Sequence, residues 1–199
     1  FDMLATEQQA AVKDATADTI VVDVPGKSER TMALMAHYDS ATVEGTENDE
    51  QSYSSGTSHG AADDGYGVAA IIETLRAIKA EGRQPENSLK IVITDGEEIG
   101  LVGARNEMRH HRADYENVDL VLNLEARGTS GPALMFETSS NNSAVAGYFL
   151  SHVKQPVAGS FLPSLYARMP NTTDMAAFIP EGFTVLNIAA IGDAEHYHH

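Results

Sequence analysis

Histidines and carboxylates recur at one kind of position in this chain, just past an apolar run. His37 and Asp39 follow the run Met32 to Ala36, and Asp95, Glu97 and Glu98 follow Leu89 to Thr94. Glu125 follows Val118 to Leu124, and His196 and His198 follow the last run, Thr184 to Ile191. Asp63 and Asp64 precede a helical pattern that starts at Gly67. If the runs are strands of one sheet, these acids and imidazoles gather along one edge. Ionised carboxylates gathered there repel one another unless a cation sits among them. A mixed histidine and carboxylate set suits zinc best, with manganese or cobalt as alternatives.

Each piece alone has a plainer reading. A single histidine after a strand is usually a hydrogen-bonded surface or core residue. Asp63-Asp64-Gly65 reads as a helix N-cap and turn. Glu97-Glu98 reads as a solvated first turn favoured by the helix dipole. Glu125 stands apart, because an acid ending an apolar strand is costly if buried without a partner. The recurrence at successive strand ends raises the set above these readings.

The elements that must position the set follow from periodicity. Thr19 to Asp23 is β-branched and ends at Pro25-Gly26, a strand and a turn. Val68, Ile71, Ile72, Leu75 and Ile78 are spaced as one helical face, ended by Gly82 and Pro85. Leu89 to Thr94 and Val118 to Leu124 read as buried strands, as does Ala133 to Phe136. Further helices are expected from Leu101 to about His111, from Ser143 to Val153 and from Thr173 to Ile179. The polar stretch 44–60 reads as a long loop. Strands alternating with helices predict an α/β fold with a mostly parallel sheet, whose ligands lie beyond the carboxyl ends of the strands.

Composition narrows the function. The 199 residues predict one domain. Acids outnumber bases 29 to 13, for a net charge of −16, which opposes binding to nucleic acid and to anionic membranes. No apolar run approaches the ~20 residues of a spanning helix. There is no cysteine, so disulfides, thiolate metal sites and cysteine nucleophiles are excluded. The chain opens at Phe1 and stops at His199, and it reads as a processed chain or a piece of a longer one.

His37-Tyr38-Asp39-Ser40, Gly60 to Ala69 and Asp95-Gly96-Glu97-Glu98-Ile99-Gly100-Leu101 resemble the successive motifs of the co-catalytic di-zinc aminopeptidases. Asn123 to Gly128 and Pro170 to Asp174 resemble one branch of them, which includes bacterial membrane-linked and vacuolar or endoplasmic-reticulum metallopeptidases. The resemblance covers residue 30 to the end. It implies a three-layer α/β/α fold with a central, mostly parallel mixed sheet. It also implies a single peptidase catalytic domain over residues 1–199, part of a longer chain that is membrane-anchored or extracytoplasmic. Two zinc ions per chain are implied, one on His37, Asp63 and Glu125, the other on Asp63, Glu98 and His198, with Asp63 bridging. Glu97 is implied as the general base. At the last motif, Glu195-His196-Tyr197-His198-His199 departs from the family pattern, and alignment on Tyr197 selects His198. A ligand so near the chain end is expected to hold its ion less firmly.

The residues suit that chemistry in their own right. Peptide hydrolysis needs an activated water, a polarised carbonyl and a proton for the leaving amine. Adjacent glutamates on an irregular turn can divide the work, one toward the metal and one toward the water. Asp39 reads equally as an acceptor for the free imidazole N–H of His37 or as a turn cap. Tyr197 reads as a donor to the developing oxyanion or as a packing residue. Asp174 and Asn171 either line the pocket or cap a helix. Arg127 either meets substrate or pairs with an acid. The competing functions are a one-zinc glutaminyl-cyclase-like enzyme, a binding domain with a decayed site, and a calcium-stabilised acidic domain. All five ligand positions are filled, Glu97 is kept, and calcium prefers all-oxygen sites, so the peptidase leads.

Overall fold

The computed structural model describes residues 17–43, 56–140, 142–162, 164 and 172–196. Seven strands make one sheet: β1 (Ile20–Val24), β2 (Ser28–His37), β5 (Asn87–Thr94), β6 (Val118–Ala126), β7 (Leu134–Thr138), β8 (Val157–Ala158) and β9 (Val185–Ala190). Their order is β1-β5-β2-β6-β9-β7-β8. The central pairs β5–β2, β2–β6 and β6–β9 are parallel, as is β7–β8, whereas β1 and β7 run antiparallel to their inner neighbours β5 and β9. The sheet is therefore mixed and mostly parallel, as expected. Two short strands, β3 (Thr42–Val43) and β4 (Gly56–Thr57), pair with each other at the ends of the polar stretch, whose residues 44–55 lie outside the described residues.

Burial on both faces explains the apolar runs within the central strands. On β2, Ala33 and Met35 enter one core, and Leu34 and Ala36 enter the other. The second core is closed by helix α1 (Gly65–Glu81), through Ile71 with Val68, Leu75 and Ile78 behind it. Gly82 ends α1 in a left-handed conformation and donates its N–H to the Lys79 carbonyl. Helix α3 (Ser143–His152) lies on the same side. The first core is closed from the opposite side by α2 (Val102–His110), through Ala104 and Met108, and by α4 (Met175–Phe178). The result is a three-layer α/β/α sandwich.

Phe178 is fully buried in that first core, edge-on to Tyr115 and to Phe183, each at 5.7 Å between ring centroids. Phe178→Ala is expected to cost about 3–5 kcal/mol of unfolding free energy, read from urea denaturation. A loss below about 1 kcal/mol would mean that the ring does not carry the packing described.

Of the element boundaries that differ from the sequence reading, three stand out. β2 starts at Ser28, four residues early, because polar Ser28 to Thr31 still pair with β5 across a register shift. β6 runs to Ala126, so Glu125 lies inside the strand, opposite Ala189 of β9, rather than after it. Leu101 adopts a left-handed backbone before α2 and is not part of the helix.

Candidate active site

Register brings the site together. His37 is the last residue of β2 and sits opposite Thr94, the last of β5. The turn after β5 carries Glu97 and Glu98, and Gly96 opens it with a φ of 69°. A side chain there would be strained, and its Cβ would meet Val102 at 3.0 Å, so the turn requires glycine. Asp39 fixes the turn from the β2 side. Its Oδ1 accepts the Glu97 N–H at 3.0 Å and its Oδ2 the Glu98 N–H at 3.1 Å.

Asp63 and Asp64, joined by a cis peptide bond, enter α1. Their carboxylates are used differently. Asp64 accepts from the backbone N–H of Gly67 at 3.1 Å, capping α1, and from that of His37 at 3.3 Å, which ties the helix start to the strand end. Asp63 turns into the site, with Oδ1 2.9 Å from His37 Nε2. Glu125 Oε1 is 3.8 Å from the same nitrogen. Nδ1 of His37 is 3.0 Å from the Asp39 carbonyl oxygen and 3.4 Å from its carboxylate. Asp39 thus meets the imidazole first through its backbone, while its carboxylate serves the Glu97–Glu98 turn.

One ligand-type atom each from His37, Asp63 and Glu125 lie within 4.8 Å of one another, and so do those of His37, Glu97 and Glu98. His37, Asp63, Glu97 and Glu125 are buried and Glu98 is partly so. So much negative charge out of water shifts the protonation of these groups. Burial, with repulsion from Glu125 and Asp174, pushes Glu97 up to about 10. Burial, with repulsion from Glu125, pushes Asp64 up to about 9. His37 moves the other way from a buried imidazole: burial opposes its charge, but Asp39, Asp63 and Glu125 together raise it strongly. Burial also works against the charge on Asp39, yet His37 and the two N–H donors hold its carboxyl below the usual range. The pocket therefore demands positive charge at the point where Asp63 and Glu125 face His37 Nε2. An imidazole nitrogen and two carboxylate oxygens converging there fit a zinc-type ion.

Asp174 precedes α4 but makes no side-chain cap bond. It is buried, accepts from the Thr94 hydroxyl, and has no partner for Oδ1 among the described residues. Burial, against the Thr94 hydrogen bond, pushes it up to about 7. Its charge acts on Glu97, and its side chain does not cap α4. Arg127 donates through Nη2 to the Thr172 carbonyl at 3.1 Å. His196 ends a short 3-10 turn after β9. Asn171, Tyr197 and His198 lie outside the described residues. His110 and His111 close α2, and His152 stacks on Tyr148 at 3.9 Å, so none of the three joins the cluster. Thr94 and Asn123 were not singled out as site residues by the sequence reading. A polar residue in an otherwise buried apolar strand was the available signal, since it must find a partner there.

The sequence profile of peptidase family M28 matches residues 19–199, and the chain belongs to that family. Among curated relatives, a vacuolar membrane protease of Lodderomyces elongisporus is 28% identical over 186 residues, which cover 92% of this chain and 17% of the relative. The chain spans less than a fifth of the length of such relatives. The fold matches a zinc aminopeptidase from Bacillus subtilis with a TM-score of 0.59 at 18% identity, covering 91% of this chain and 41% of that one. It also matches a glutaminyl cyclase from an Acidobacteriales bacterium with a TM-score of 0.59 at 20% identity, covering 96% of this chain and 69% of that one.

Proposed function

We propose that residues 1–199 form the catalytic domain of a zinc-dependent aminopeptidase that removes N-terminal residues from peptides. The observation that carries this reading is the buried His37–Asp63–Glu125 group with Glu97 and Glu98 on the adjoining turn. His37, Asp63 and Glu125 would hold one zinc ion, and Asp63, Glu98 and His198 a second. When bound, zinc supplies Lewis acidity that polarises the scissile carbonyl and acidifies a water. Glu97 takes the proton of the attacking water and hands it to the leaving amine. Asp39 keeps Glu97 and Glu98 apart in role by fixing both of their backbone N–H groups. Tyr197 donates to the developing oxyanion. The whole protein would be membrane-anchored, with this domain on the extracytoplasmic side. The curated relatives named as vacuolar membrane proteases support that reading. Among the described residues no helix is long and apolar enough to cross a membrane.

The glutaminyl-cyclase fold match supports a second reading, cyclisation of N-terminal glutaminyl peptides. Substrate panels separate the two. Incubation with an aminoacyl amide, its N-acetylated form and a glutaminyl peptide is expected to give hydrolysis of the first, none of the second and no cyclisation of the third. Exhaustive chelation should abolish that hydrolysis and zinc should restore it. Cyclisation without hydrolysis, or full activity after metal removal, would refute the proposal.

A further inference from the structure

Asn123 and Asn187 are fully buried amides in otherwise apolar strands. Register sets them in one row: Asn123 faces Asn187 across β6–β9, and Asn187 faces Glu137 across β9–β7. On β6, Asn123 shares a face with Glu125, two residues on. Buried amide groups need partners, and the partners here leave each amide one orientation. Asn187 Nδ2 donates to Thr173 Oγ1 at 2.9 Å and toward Glu137 Oε2 at 3.5 Å. Its Oδ1 is thereby turned to Asn123 and accepts from Asn123 Nδ2 at 3.0 Å. The same Nδ2 reaches Glu125 Oε2 at 3.5 Å, while Glu125 Oε1 is the oxygen facing His37.

We infer that Asn123, oriented by Asn187, is a positioning residue for Glu125. Its amide holds one carboxylate oxygen back so that the other is presented to the ion. The inference rests on the ligand role proposed above for Glu125. The row also ties that ligand to Thr173, beside Asp174, so the ligand strand and the 172–174 segment are held to one geometry. Partners of this kind are worth roughly 10–100-fold in metal affinity.

Asn123→Leu keeps the side chain's branched shape and removes its amide. Zinc affinity of the chain, read by competition with a chromophoric chelator, is expected to fall about 10–100-fold. The visible absorption of the cobalt-substituted chain should change shape. Both are measured below the melting temperature of the metal-free variant, so a merely structural role would lower that temperature and leave both readouts unmoved. Asn187→Ser should weaken zinc in the same direction by less, and it carries the test if Asn123→Leu does not fold. Unchanged zinc affinity and cobalt spectrum in the folded variant would overturn the inference. Glu125→Gln runs alongside: if it binds zinc as the unmodified chain does, the ligand role itself falls and the inference with it. If it loses zinc while Asn123→Leu does not, only the inference fails.

Discussion

Glu97→Gln is expected to lower kcat by about 10²–10⁴-fold while bound zinc stays at the level of the unmodified chain. The amide has nearly the same shape as the carboxyl, and the Glu97 backbone N–H keeps its bond to Asp39. What is lost is the capacity to accept a proton and return it. Burial and the surrounding acids hold a proton on Glu97 in the metal-free chain, and the positive charge of bound zinc would draw its pKa down toward the range of a working base. Glu98→Gln should do the reverse, weakening metal binding first. Metal analysis beside steady-state kinetics distinguishes the two variants. If Glu97→Gln sheds metal as readily as Glu98→Gln, the division of roles between the neighbours is wrong.

Asp63→Asn is expected to have the larger effect on metal. Its carboxylate lies 2.9 Å from His37 Nε2 and is the one acid proposed to serve both ions. Neutralising it should weaken zinc binding by more than the roughly 100-fold that loss of a second-sphere partner brings. Hydrolysis should fall with it. Asp64→Asn is the contrasting variant, because Asp64 is spent on two backbone N–H groups. It should change the melting temperature before it changes zinc affinity, measured by chelator competition. Equal zinc loss in both would remove the distinction between the ligand and the cap.

The members of this cluster were legible in the sequence to different depths. His37, Glu97, Glu98 and Glu125 announced themselves through position, since each stands at or beside the end of an apolar run and parallel strands bring their carboxyl ends to one edge. Which aspartate of the 63–64 pair enters the site was not readable from spacing alone. That follows from how the backbone enters α1, which leaves Asp64 to the helix and to β2. Asp174 read equally as a helix cap, because an aspartate before a short apolar stretch carries the same pattern whether it bonds its own helix or a threonine on a neighbouring strand. The row Asn123–Asn187–Glu137 depends on the registers of β6, β9 and β7, and pairing across strands far apart in sequence leaves no local trace. The polar start of β2 was missed for a related reason. Residues 28–31 pair with a neighbour without burying an apolar face, so periodicity has nothing to register.

The pocket at His37 is proposed to be a catalytic zinc site. Its most direct test is a zinc titration of the metal-free chain at neutral pH, with bound metal and hydrolysis of an aminoacyl amide followed in the same samples. Activity is predicted to appear only as zinc is bound, and His37→Ala is predicted to lose both together. Hydrolysis already complete before zinc is added, or zinc bound just as tightly by His37→Ala, would contradict it.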